Sequence, residues 1–113
     1  MTEGNEELSN RALETAQAIR RESAALREAA VSMRRCAEVF RMSAEALRRE
    51  ADANPDAQQA AMRRQQAELK DQHATALDDH AFSLNAEADS AEIKAQLAES
   101  RAALARAGKA EPT

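Results

Sequence analysis

The sequence predicts an all-α protein: a long, coiled-coil-like antiparallel hairpin of two helices that dimerises into a four-helix bundle. Residues 19–53 form five consecutive heptads, and a strict seven-residue repeat keeps one stripe of a helix facing a partner. Good helix formers dominate, and two Gly and two Pro in 113 residues leave few places where a helix would end. The one clear break is Asn54-Pro55-Asp56. Together these observations predict two helices and one turn in a single domain, residues 1–113.

The first helix is predicted from about residue 5 to residue 53. Asn5 is a suitable N-cap, and the acidic residues that follow it suit the positive end of the helix dipole. Each heptad starts with a large apolar residue followed at once by arginine, and a small residue comes four positions after the large one. The large residues are Ile19, Leu26, Met33, Phe40 and Leu47, and the small ones are Ser23, Ala30, Ala37, Ala44 and Ala51. We expect both sets to lie along the hairpin seam.

The second helix is predicted from about residue 56 to residue 107, after a turn at 54–56. Asn54 is expected to cap it, and Gly108 is a natural C-terminal stop. The five residues 109–113 are expected to be disordered.

The second helix is less regular than the first in its hydrophobic pattern. A capping box inside the run, Asn85 followed by Asp89 to Glu92, makes a kink or break near residues 85–90 an alternative to one continuous helix.

The position of the turn predicts which residues face each other. With a turn at 54–55, Leu47 meets Met62 and Phe40 meets Leu69, so large residues find apolar partners. Alanine buries little surface, so two helices alone make a thin core. The apolar and small residues also exceed what one seam needs, and this predicts a homodimer. The predicted interaction residues are Ile19, Leu26, Met33, Phe40, Leu47, Met62, Leu69, Leu97 and Leu104.

An arginine row follows the large apolar residues of the first helix at every seventh position. Its members are Arg20, Arg27, Arg34, Arg41 and Arg48. One interpretation is a track for phosphates, by counterion release. The other is a set of salt bridges flanking a coiled coil, in which Arg20 faces Asp89, Arg41 faces Glu68 and Arg34 lies near Asp71 or Asp78. No aromatic residue is interleaved for base stacking, so the sequence favours salt bridges.

The metal-ligating residue types are few and widely spaced. His73 and His80 are seven residues apart, about 10 Å along one helix, which is too far to chelate one ion. In the predicted hairpin His73 falls opposite Cys36, so a Cys–His site completed across a dimer is an alternative. We interpret these histidines as structural, and Cys36 as a small apolar residue beside the seam. No metal or other cofactor is therefore expected.

Composition and the lack of known motifs argue against several functional classes. The net charge of −4 argues against a dedicated nucleic-acid binder. No apolar run approaches about 20 residues, so no membrane span is expected. The single cysteine and the acidic N-terminus without a signal peptide predict a cytoplasmic protein, with signal-less secretion as the alternative. Richness in Ala and Arg is typical of a GC-rich bacterial genome. There is no phosphate loop, nucleophile elbow or two-histidine metal motif, which predicts a non-enzyme.

The leading function hypothesis is a helical protein–protein interaction module, an adaptor, chaperone or regulator that acts through its helix faces. The alternatives are a nucleic-acid-binding protein that uses the arginine row and a metal-sensing bundle that uses Cys36 and His73. In length and layout the chain resembles the small secreted helical-hairpin proteins whose turn carries Trp-x-Gly. This chain has no Trp, and Asn54-Pro55-Asp56 stands in the turn, so no motif assigns it to a family.

Overall fold

The computed structural model describes residues 2–108 and shows two long helices that contact each other as an antiparallel hairpin. Helix α1 spans Thr2–Ala53 and helix α2 spans Ala57–Ala107. The predicted all-α hairpin is therefore confirmed. The dimer and the single-domain extent of residues 1–113 stay predictions, and the expected tail at 109–113 lies outside the described residues.

The start of α1 differs from the prediction. The helix already includes Gly4 and Asn5, so Asn5 is not its cap. One glycine in a helix costs only about 1 kcal/mol, which does not stop a helix that is packed elsewhere. The Asn5 side chain instead lies beside Gly108. A Cβ added to Gly108 would come within 2.7 Å of the Asn5 side-chain amide nitrogen.

The turn is at residues 54–56, as predicted, but its capping chemistry is different. The backbone N–H groups of Gln58 and Gln59 donate to the Asp56 carboxylate at 2.9 and 3.3 Å, so Asp56 caps α2. Asn54 accepts a hydrogen bond from the Asp56 N–H at 2.9 Å. The prediction that Asn54 caps α2 is wrong because Asn54 closes an Asx turn that sets Asp56 in the capping position.

Helix α2 is continuous through Asn85, so the alternative of a break near 85–90 is wrong. Ala88 and Ala91 are only 0% and 8% exposed, and this packing holds the segment helical although it contains a capping-box pattern. The helix ends before Gly108, as predicted. The Gly108 N–H donates to the Leu104 carbonyl at 3.1 Å, and its φ of +23° is a conformation that side chains disfavour.

In the part of the chain that the structure describes, the buried residues between the helices are all small. Most recur at every seventh position in both helices, and none of these is more than 4% exposed. The α1 members are Ser9, Ala16, Ser23, Ala30, Ala37, Ala44 and Ala51, and the α2 members are Ala60, Ala67, Ala74, Ala81, Ala88, Ala95 and Ala102. We call these rows the alanine seam. Side chains this small let the two backbones approach closely.

A hydrogen bond across the alanine seam fixes its pairing. The Ser23 hydroxyl donates to the Ala88 carbonyl at 3.3 Å. Stepping back by seven residues along α1 and forward by seven along α2 then pairs Ala16 with Ala95, which belong to one buried cluster.

The predicted pairs of Leu47 with Met62 and Phe40 with Leu69 are wrong, since Met62 and Leu69 are 54% and 59% exposed. Ala60 precedes Met62 by two residues, about 200° around the helix. The cap at Asp56 turns the row that contains Ala60 inward and the row that contains Met62 outward.

The hairpin divides into two compact units. The turn unit comprises Glu28–Leu84, and the terminal unit comprises Met1–Arg27 with Asn85–Thr113. In each unit a segment of α1 packs against a segment of α2 along the alanine seam.

Candidate interaction surface

The alanine seam leaves the large apolar side chains incompletely covered. Within residues 4–108, the largest fully buried side chains are those of Ser9 and Ser23. No leucine, isoleucine, methionine, valine or phenylalanine in that range is buried. Because burying a large apolar side chain is worth about 1.5–3 kcal/mol, much of the available hydrophobic stabilisation is not realised within one chain.

One side of the seam carries large, half-buried apolar residues, and we call it the apolar side. From α1 it includes Ile19, Leu26, Met33, Phe40 and Leu47, which sequence analysis predicted as interaction residues. From α2 it includes Leu77 and Leu84, with Ala91, Ala98 and Ala105 continuing the same heptad row. All the α1 members precede a seam residue by four positions, so they flank the seam along its length.

In the turn unit, the apolar side is organised around Phe40. The His73 ring stacks on the Phe40 ring, with centroids 4.5 Å apart and planes 15° apart. The Lys70 ammonium lies 5.4 Å from the same ring centroid. The predicted position of His73 opposite Cys36 is therefore wrong, because the observed pairing sets His73 against Phe40.

In the terminal unit, the apolar side opens into a shallow groove near the chain ends. The groove has a volume of about 450 Å³ and lies between Leu8 and Ala12 of α1 and Leu104 and Ala105 of α2. Leu8 and Leu104 are 57% and 53% exposed. Deeper in the same unit Ile19 packs on Ala16, Ala95 and Ala98.

The opposite side of the seam is charged. In the terminal unit, Arg20 forms ion pairs with Glu92 at 2.7 Å and with Glu99. The hydrogen bond from Arg20 to Glu99 is the chief cause that raises the pKa of the Arg20 guanidinium above its ordinary value. Arg27 pairs with Asp89 at 2.8 Å.

In the turn unit, Arg41 pairs with Asp78 and Arg48 with Asp71. Glu68 was the predicted partner of Arg41, and that prediction is wrong. No partner was predicted for Arg48.

Four of the five residues in the arginine row are thus engaged with carboxylates of α2. Within residues 4–108, Arg34 makes no ion pair, and Asn85 occupies the next heptad position after Asp71 and Asp78. Exposed ion pairs contribute about 0–1 kcal/mol each, so the row adds little stability but neutralises positive charge. This arrangement is the one that the salt-bridge interpretation predicts.

The remaining predicted interaction residues lie on the outer face of α2. Met62, Leu69, Leu97 and Leu104 share one heptad row and are each more than half exposed. They follow the seam alanines by two positions, about 200° around α2, and Leu104 also borders the groove near the chain ends. All four therefore lie outside the hairpin seam, whereas Met62 and Leu69 were expected inside it. Their role as interaction residues stays a prediction.

The candidate metal ligands are not gathered into a site. Within the described residues, no group of three or more His, Cys, Asp or Glu side chains is arranged to hold a metal ion. Cys36 is exposed and carries a free thiol, and His73 and His80 are both exposed.

The predicted interaction residues did not include Leu77 or Leu84, and the predicted seam did not include the full α2 alanine row. Leu77 and Leu84 belong to the apolar side, and the seven seam alanines from Ala60 to Ala102 recur at strict heptad spacing. That spacing is visible in the sequence. It was overlooked because larger residues such as Met62 and Leu69 form a competing heptad row.

Comparison with protein-family models, curated proteins and solved structures finds no match for this chain. Neither helix, over the residues that the structure describes, contains a stretch long and apolar enough to cross a membrane.

Proposed function

We propose that this chain is a non-enzymatic protein–protein interaction module that docks another helical surface on its apolar side. One observation carries the proposal: the seam between α1 and α2 is filled by alanine and serine, while every large apolar side chain on that side stays partly exposed. A second helical surface would bury these side chains, as adjacent helix pairs do in four-helix bundles. Binding alone, as an adaptor, chaperone or regulator, accounts for this arrangement.

The two sides of the hairpin differ in what they offer a partner. On the charged side, four arginines already have carboxylate partners, so a new partner there would have to compete with existing ion pairs. On the apolar side, half-buried Leu26 and Leu84 need only lose their remaining water. This difference supports docking on the apolar side.

Site-specific photocrosslinking in cells tests the proposal. A photoreactive phenylalanine analogue replaces Leu26 or Leu84 on the apolar side, or the exposed Met42 as the matched control away from it. We expect protein crosslinks from the first two positions and none from the third. Helical circular dichroism of each purified variant verifies folding. Folded Leu26 and Leu84 variants that give no more crosslinks than the Met42 variant would refute the proposed function.

A further inference from the structure

We propose that the partner on the apolar side is a second copy of this chain, with α1 of each copy packed on α2 of the other and both turns at the same end. The inference rests on the interaction module proposed above and names its partner. Each turn unit then packs on the partner's turn unit, and each terminal unit on the partner's terminal unit. The two-fold axis runs parallel to the helices, so every residue keeps its level along them.

Side-chain volumes in the terminal unit favour this orientation. On the apolar side α1 contributes the large Ile19 and Leu26, whereas α2 contributes the small Ala91 and Ala98. Packing α1 on the partner's α2 sets a large row over a small row, which fills space at the density of protein interiors. Packing α1 on the partner's α1 would instead crowd the large α1 rows of both copies together.

Charges along the edges of the apolar side agree with the volumes. Glu22 lies on the outer edge of α1 and Lys94 on the outer edge of α2. Both are exposed, and neither makes an ion pair within residues 4–108. Glu22 is five residues before Arg27 and Lys94 is five residues after Asp89, and Arg27 and Asp89 pair at 2.8 Å. The two-fold axis therefore gives Glu22 and the partner's Lys94 the same offset along the helices as the observed pair of Arg27 and Asp89.

One acid, Glu87, shares the α2 edge with Lys94. Side chains on a helix lean toward its N-terminus, and α1 and α2 are antiparallel, so Glu22 leans toward the partner's Lys94 rather than toward the partner's Glu87.

The turn unit has the same division of charge. Here α2 carries Arg63 and Lys70 in the row that continues into Leu77, whereas α1 carries Glu50 on its edge. The Glu50 carboxylate already lies 3.5 Å from the Arg63 guanidinium of its own chain. Acidic side chains of α1 and basic side chains of α2 are therefore close enough to pair at this position along the hairpin. In the opposite orientation α1 would pack on the partner's α1, and Glu22 and Glu50 would lose their level with the bases of α2.

A charge-swap experiment tests the contact between Glu22 and Lys94. Light scattering and sedimentation equilibrium measure the mass and the dimer dissociation constant of the wild-type chain, of Glu22→Lys, of Lys94→Glu and of the double swap. We expect a dimer that each single swap weakens about tenfold, through two symmetric exposed pairs, and that the double swap restores. Arg21→Glu, on α1 but off this edge, is the control. A monomer, or single swaps that the double swap does not rescue, would overturn the inference.

Energy transfer tests the orientation separately. The Pro55→Cys substitution in a Cys36→Ala background gives one labelling site at the turn, and donor-labelled chains are mixed with acceptor-labelled ones. Turns at the same end lie within about 20 Å of each other and give strong transfer. Turns at opposite ends are separated by about 75 Å, the length of α2, and a dimer with weak transfer would overturn the inference.

These outcomes distinguish the two proposals. A monomer that still gives crosslinks to another protein from Leu26 and Leu84 overturns only the second-copy inference. If the chain stays dimeric when Leu26→Glu and Leu84→Glu are combined, the apolar side is not the docking surface. That result overturns both the inference and the proposed function.

Discussion

Replacing Ala44 by leucine tests the alanine seam most directly. Ala44 is 0% exposed, as is Ala67 in the α2 row of the seam, so the seam has no room for three additional carbon atoms. Overpacking a filled core costs about 1–3 kcal/mol, and we expect the upper end because the side chain meets the opposite backbone. A loss of about 2–3 kcal/mol lowers Tm by about 10 °C in a domain of this size.

The assay is thermal and urea unfolding followed by circular dichroism, at one fixed protein concentration because self-association adds to apparent stability. Ala46→Leu is the matched control, since Ala46 lies two residues further along α1 and is exposed. We expect the control to stay within about 0.5 kcal/mol of the wild type. If Ala44→Leu were as stable as the control, or more stable, the seam would have space for leucine and the close approach of the helices would be refuted.

Three further predictions concern single side chains. Among the residues that the structure describes, the buried Ser9 hydroxyl has no hydrogen-bond partner, so Ser9→Ala should raise the free energy of unfolding by about 1 kcal/mol. Ser23→Ala removes a hydrogen bond and should lower it by a similar amount. Equal shifts in the same direction would contradict this. Asp56→Ala removes the cap of α2 and should cost about 1 kcal/mol in urea unfolding, while Asp56→Asn should cost little. Mild oxidation should give no covalent dimer through Cys36 on a non-reducing gel, because the proposed dimer holds the two thiols on opposite edges. A disulfide-linked dimer would contradict the proposed dimer.

The alanine seam shows where sequence reasoning succeeded and where it failed. The small residues of the α1 heptads were predicted as seam residues, and Ala30, Ala37 and Ala44 are indeed no more than 1% exposed. The same reasoning assigned Met62 and Leu69 to the α2 half because larger side chains usually occupy coiled-coil cores. Here the smaller row is buried, since alanine against alanine allows the closest approach of the two backbones.

The arginine row is a second example. Its salt-bridge interpretation agrees with the structure, but each predicted partner is different. Arg41 was expected to face Glu68 and instead pairs with Asp78. Asp78 follows the seam residue Ala74 by four positions, as Arg41 follows Ala37, so both rows lie on one side of the seam. Identifying that partner requires knowing which α2 row forms the seam.

The sequence by itself determined the two helices, the turn at residues 54–56 and the seven-residue spacing of the packing, because helix propensity, proline and periodicity act locally. Only the tertiary structure decided which heptad row of α2 faces α1, and hence which side of the hairpin is apolar and which is charged. That choice depends on the volumes of both helices at once and on the capping of α2 by Asp56 rather than Asn54. Moving the N-cap of α2 by two residues, from Asp56 to Asn54, corresponds to a rotation of about 200° and exchanges the rows that contain Ala60 and Met62.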